Sequence, residues 1–183
     1  MNVNDDAVVL KGGKGTFADQ APENGPCYNI LVEDCEYGHV HGCMTLGSES
    51  VHDWNVILRR CKVGSAQRVL WLKMRPDTPQ HYEYVTVEDM TGDCASFLVV
   101  RPWTQFFKPE DRADMPLSRC NNIYIRNIQM KTKNFFDVGT SDKYRLEDFS
   151  FENIQVEDEK DAFDKTMIEN TTVKNVIING TSR

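Results

Sequence analysis

Three observations predict an all-β chain. A seven-residue pattern recurs six times, its second and fourth positions are apolar with polar residues between them, and its sixth position carries a residue suited to a turn. The copies are Asn29–Cys35, Asn55–Cys61, Tyr84–Met90, Asn122–Ile128, Asp148–Ile154 and Asn170–Val176. Their first residues lie 26, 29, 38, 26 and 22 positions apart, the irregular period of a solenoid whose turns differ mainly in loop length.

Each element follows from that pattern. The pairs Ile30/Val32, Val56/Leu58, Val85/Val87, Ile123/Ile125, Phe149/Phe151 and Thr171/Val173 alternate with mostly polar neighbours, which marks six strands with one buried face. The sixth positions are Asp34, Arg60, Asp89, Asn127, Asn153 and Asn175. Asn tolerates the left-handed backbone of a tight turn, and its amide can bond the same group in the next copy as a ladder. A second apolar stretch follows four of the copies, at 43–46, 69–72, 97–100 and 135–138, so each turn holds more than one strand. Stacked copies pair in parallel, and wide parallel crossovers are right-handed. The expected architecture is a right-handed parallel β-helix forming one domain over 1–183, with an inserted loop at 102–120 where the period lengthens to 38.

Composition narrows the function. With 21 Lys and Arg against 28 Asp and Glu, the net charge is −7, which argues against nucleic acid as a partner. No apolar run approaches the roughly 18 residues that a membrane span requires, and the first residues lack the basic and apolar regions of a signal peptide, so the chain as written is expected in the cytoplasm. Six cysteines without a CxxC pair suggest neither a disulfide scaffold nor a zinc or redox site. Cys35 and Cys61 share the seventh position of adjacent copies. A disulfide there is conceivable, but Met90, Ile128, Ile154 and Val176 fill the same column, which favours buried thiols. No metal and no cofactor is expected, and His52 and His81 read as surface or loop residues.

The chemistry-bearing residues fall on the first three turns. Asp5 and Asp6 are adjacent, and two neighbouring carboxylates converge on one cleft only at a turn or bulge. Downstream come Gly38-His39-Val40-His41-Gly42, then Gly47-Ser48, then Arg68-Val-Leu-Trp71-Leu72-Lys73-Met-Arg75. On a strand His39 and His41 would share a face. The loop after residue 101 offers Trp103, Phe106 and Phe107, of which Trp103 is the best candidate to stack on a sugar ring.

In this order and spacing the three elements resemble the polygalacturonases, family 28 of the glycoside hydrolases, in which a DD pair, a Gly-His-Gly motif followed by a Gly-Ser turn, and an Arg-Ile-Lys motif meet at one groove. The resemblance spans nearly the whole chain. It implies a single-stranded, pectin-lyase-like right-handed β-helix that cleaves α-galacturonosidic linkages of pectin, in polygalacturonan or rhamnogalacturonan, with inversion. By the family's assignments Asp5 is the acid, Asp6 a base and His41 the histidine that helps hold the acid's protonation state. Lys73 is implied to bind the uronate carboxylate, with His39, Arg68, Arg75, Trp71 and Trp103 around it. Such hydrolysis needs one carboxylic acid for the leaving oxygen and one carboxylate to activate water, and adjacent carboxylates disfavour simultaneous ionisation. Relatives act outside the cytoplasm, so secretion or a periplasmic location is implied for a full-length protein.

The departures are specific. The family's Asn-Thr-Asp motif, one turn before DD, is missing, so the chain is expected to be truncated at its N-terminal end, with self-association through the open first turn or fraying near residues 1–12. Val40 replaces the first Gly of Gly-His-Gly, and Trp71 replaces the Arg of Arg-Ile-Lys. The alternative is a non-catalytic, carbohydrate-binding or structural β-helix derived from such an enzyme. A calcium-assisted pectate lyase is disfavoured by the motif order.

Overall fold

The computed structural model describes residues 1–106, 108 and 110–183; Phe107, one of the three loop aromatics offered for stacking or packing, lies outside the described residues. The chain is all-β. Among the described residues ten strands follow one another: β1 (Val9–Leu10), β2 (Cys27–Glu33), β3 (Glu36–Tyr37), β4 (Met44–Leu46), β5 (His52–Met74), β6 (His81–Pro102), β7 (Ser118–Val138), β8 (Tyr144–Asp158), β9 (Thr172–Ile178) and β10 (Thr181–Ser182). Two 3₁₀ turns, Ala18–Gln20 and Lys165–Met167, are the helical elements among the described residues.

The strands join one sheet in the order β1-β4-β5-β6-β7-β8-β9-β10, with β2 and β3 also on β5. All pairings but the terminal β9–β10 hairpin are parallel. The register is that of the repeat. Ile30, Val56, Val85, Ile123 and Phe149 are successive partners, as are Val32, Leu58, Val87, Ile125, Phe151 and Val173. These columns enter one continuous hydrophobic core, because a parallel stack superimposes equivalent positions and so stacks apolar on apolar. The seventh-position column joins that core, with Cys61, Met90, Ile128, Ile154 and Val176 buried and Cys35 packed at its margin; all six cysteines are free thiols.

Strands of more than 20 residues do not run straight. The sixth position, read as a turn, is left-handed in all six copies, and so is the first: the twelve residues Asn29, Asp34, Asn55, Arg60, Tyr84, Asp89, Asn122, Asn127, Asp148, Asn153, Asn170 and Asn175 have φ between 52° and 58°. The expected ladder exists along the sixth column, where Asn127 donates to Asp89 (2.9 Å), Asn153 to Asn127 (3.2 Å) and Asn175 to Asn153 (3.0 Å). In the same column Arg60 spans to Asp34 at 2.8 Å. The fifth column reads Glu33, Arg59, Glu88, Arg126, Glu152, Lys174. Superposition thus sets opposite charges face to face, with Arg59 on Glu33 (2.8 Å) and Arg126 on Glu88 (2.6 Å).

Three expectations need correction. The insertion is shorter than 102–120: Pro102 ends β6, and Ser118–Cys120 begin β7, because Ser118 Oγ accepts from the Gln80 amide (3.0 Å) and Cys120 is buried opposite Tyr82. Residues 1–12 are laid along the next repeat rather than left loose: Val3 N donates to His39 O, Ala7 N to Gly42 O, Thr45 N to Val8 O and Gly47 N to Leu10 O, at 2.8–3.1 Å. His52 and His81 stand on β5 and β6, as Cα partners with partly exposed rings, so the surface alternative holds and the loop alternative does not.

Candidate functional site

The register that stacks the core also assembles a groove. Val9, Thr45 and Trp71 are successive partners on β1, β4 and β5, so the bend before β1, the turn after β4 and the end of β5 open on the same side. The groove they enclose, about 510 Å³, is lined by Asp5, Asp6, His41, Trp71, Lys73 and Trp103 together with Val9, Lys11, Ser48, Glu49, Gln105 and Phe106. Three separate repeats and the insertion after β6 thus supply it.

The two aspartates sit differently. Asp5 Oδ1 accepts from the Asp6 amide at 2.8 Å, a local turn that lets neighbouring carboxylates face one cleft. The Asp5 side chain is 88% exposed, with His41 Nδ1 at 3.7 Å; that of Asp6 is 6% exposed and forms an ion pair with Lys73 Nζ at 3.0 Å. Among the described residues Asp6 Oδ1 is buried with no hydrogen-bond partner, and so is the hydroxyl of Thr45. Gly42, the residue after the histidine, is what permits this approach. A Cβ there would collide with Thr45 Oγ1 and come within 2.9 Å of Asp6 Oδ1.

Lys73 is enclosed. Its ammonium lies 3.9 Å from the centre of the Trp71 ring and 4.7 Å from that of Trp103, and the two rings meet edge to face at 5.3 Å. A cation over indole faces in a partly dry site gains on the order of 2 kcal/mol. Trp71 and Trp103 together form an aromatic wall around the lysine.

The remaining expected residues divide. Arg68 does not line the groove; its guanidinium packs 3.8 Å from the Trp71 ring centre and backs that wall, and burial lowers its pKa. His39 also stands outside the lining, its backbone held by Asn2 (2.8 Å) and its ring 6.4 Å from that of His41. Residues 38–43 form bends rather than a strand, so the alternation that would have paired His39 and His41 on one face does not operate. Arg75 is turned away entirely. It is buried in a bidentate pair with Asp77, both bonds 2.7 Å, and donates to the carbonyls of Gln105 and Phe106; it holds the insertion in place instead of meeting a ligand.

Sequence reasoning missed the far end of the groove. Glu49 bridges Lys11 Nζ (3.0 Å) and Lys14 Nζ (2.7 Å), and these ammonium groups hold its carboxyl down to about 2. The signal was present: Glu49 directly follows the Gly47-Ser48 turn, and the two lysines flank Gly12-Gly13 one repeat earlier. Comparison of the chain with protein-family models and with curated proteins returns no match.

Proposed function

We propose that the chain is a right-handed parallel β-helix whose groove binds and hydrolyses an acidic polysaccharide of the pectin type at α-galacturonosidic linkages. The observation that carries the reading is the convergence of Asp5, Asp6, His41 and Lys73, from three separate repeats, in one groove that two tryptophans also line. Sugar rings stack on indole faces, and a uronate carboxylate finds the ammonium of Lys73 where a chain of net charge −7 otherwise offers little attraction.

In this reading Asp5, exposed to the groove and beside His41, donates its proton to the leaving glycosidic oxygen. Asp6 takes the proton of the attacking water once the substrate's carboxylate has drawn Lys73 away from it. The acid gives one proton and the base receives one, as inverting hydrolysis requires. A second reading, a binding module without catalysis, is favoured by one observation: the 3.0 Å bond between Lys73 and Asp6 occupies the base.

The decisive experiment measures reducing ends released from polygalacturonate and rhamnogalacturonan by the wild-type chain and by Asp5→Asn. Release that the substitution abolishes supports hydrolysis. Retention of the polymer without release leaves the binding module, and a product absorbing in the ultraviolet from an unsaturated end would identify elimination instead.

A further inference from the structure

We infer that the outer face of β5 and β6 carries a binding site for a late first-row divalent cation, with zinc as its representative, built from His52, His81 and Glu83. The site is distinct from the groove and shares no residue with it. Parallel register creates it. His52 and His81 are Cα partners on adjacent strands, so their rings stack 5.0 Å apart with 4° between planes, close to the spacing of the strands themselves. Glu83 lies two residues beyond His81 and hence on the same face.

Both imidazoles turn Nε2 toward that single carboxylate, His52 to Oε1 at 2.9 Å and His81 to Oε2 at 3.6 Å. One donor atom from each of the three lies within 4.8 Å of the others. Asn121 Oδ1, the next residue in the Glu83 column, is 2.7 Å from His81 Nε2 and supplies a fourth donor. Two imidazole nitrogens with carboxylate and amide oxygens form a borderline set that suits zinc and its neighbours, not calcium or magnesium. Zinc bonds of about 2.0–2.1 Å place tetrahedral donors roughly 3.3 Å apart, a closure these side chains reach by tilting.

The surroundings favour a cation as well. Both imidazoles are 36% exposed, so an ion has entry. The next residue in the histidine column is Arg119, whose guanidinium bonds Glu147 at 2.8 Å and acts on Glu83 only through its charge, leaving the carboxylate oxygens open to the rings. Glu83 is therefore left to the two rings, and a metal would tie β5 to β6 across the strand gap.

The test uses the full chain, freed of metal with chelator, in a calorimetric titration with Zn²⁺, alongside X-ray absorption at the zinc edge. One equivalent is expected to bind in the micromolar range or tighter, with nitrogen and oxygen scatterers near 2 Å and no sulfur. His52→Ala/His81→Ala should weaken binding at least 100-fold and Glu83→Gln about 10-fold, whereas His39→Ala/His41→Ala, which removes the histidines beside the groove, should leave it intact. No binding up to millimolar zinc, a sulfur ligand in the wild-type spectrum, or binding lost with His39 and His41 and kept without His52 and His81 would each overturn the site. The absorption spectrum needs only the wild-type chain, so a sulfur ligand overturns the site even if a variant does not fold.

Discussion

Two ion pairs stand two residues apart at the end of β5, and they are finished to different degrees. Around Arg75 and Asp77 every group is satisfied: Asp77 accepts twice from Arg75, once from the Thr78 hydroxyl and once from the Lys108 amide, while Arg75 also reaches two carbonyls of the insertion. Both side chains are 2% exposed. Around Lys73 and Asp6 one bond is made, one carboxylate oxygen is orphaned, and the rest of the ammonium's surroundings are ring faces. A completed network fixes geometry. An incomplete one in a groove retains unspent capacity to bind, and incomplete satisfaction of this kind marks a site.

The contrast breaks most visibly through stability. Asp77→Ala leaves Arg75 as a buried unpaired cation and should cost about 3–5 kcal/mol in urea unfolding. Asp6→Ala, whose partner lysine borders the open groove, should cost less than half of that; equal losses would erase the distinction between the two pairs.

Next in size is the packing that holds Asp6. Gly42→Ala forces a methyl against Thr45 Oγ1 and Asp6 Oδ1 and should destabilise by roughly 1–3 kcal/mol, with loss of whatever activity the groove has. Gly25→Ala, where a Cβ meets nothing within 4 Å, is the matched control and should stay within about 0.5 kcal/mol.

Away from the groove, Asn153→Ala should cost about 1–2 kcal/mol, because alanine resists the left-handed corner and both ladder bonds at 3.2 and 3.0 Å are lost. Asn153→Gly keeps the corner, loses only the bonds, and should cost less. Equal losses with alanine and with glycine would show that the ladder, not the backbone, dominates.

The smallest effect sharpens the groove's cationic end. The carboxyl of Glu49 is held at about 2, below its ordinary 4.5, by Lys14 and Lys11. A depressed acid contributes stability that is fully present above the unfolded value and lost as pH falls through the folded one. Because these side chains are largely solvated, Glu49→Gln should cost under about 1 kcal/mol at pH 7, and the gap to wild type should close between pH 4.5 and pH 2 in thermal melts. A gap that widens on acidification contradicts the pairing.

What the sequence reveals is the part governed by repetition. The apolar columns at positions two and four, and the left-handed sixth position, are legible because parallel stacking makes each copy report the same environment. The first position is as much a corner, yet Tyr84 and Asp148 obscure a column otherwise filled by Asn29, Asn55, Asn122 and Asn170. Asp5, Asp6, His41 and Lys73 could be grouped through the resemblance of their motifs to those of the polygalacturonases, and register places the repeats that carry them side by side. The destinations of His39 and Arg75 could not. His39 depends on a bend that breaks strand alternation, and Arg75 on Asp77, a partner two residues away that competes for the guanidinium before any ligand does. The alternating charges of the fifth column were open to view, and only a register already assumed gives them meaning.

The two corner columns act as a gauge. In every copy the corners are five residues apart, from Asn29 and Asp34 to Asn170 and Asn175, while the distance from one copy to the next ranges from 22 to 38 residues. The side between the corners is therefore closed to insertion, since one added residue would rotate every apolar side chain out of its column. The opposite side is open to it, as the 15 residues from Trp103 to Leu117 between β6 and β7 show. The molecule separates a part that must keep count from a part free to change length, and the groove, whose wall includes Trp103, draws on both.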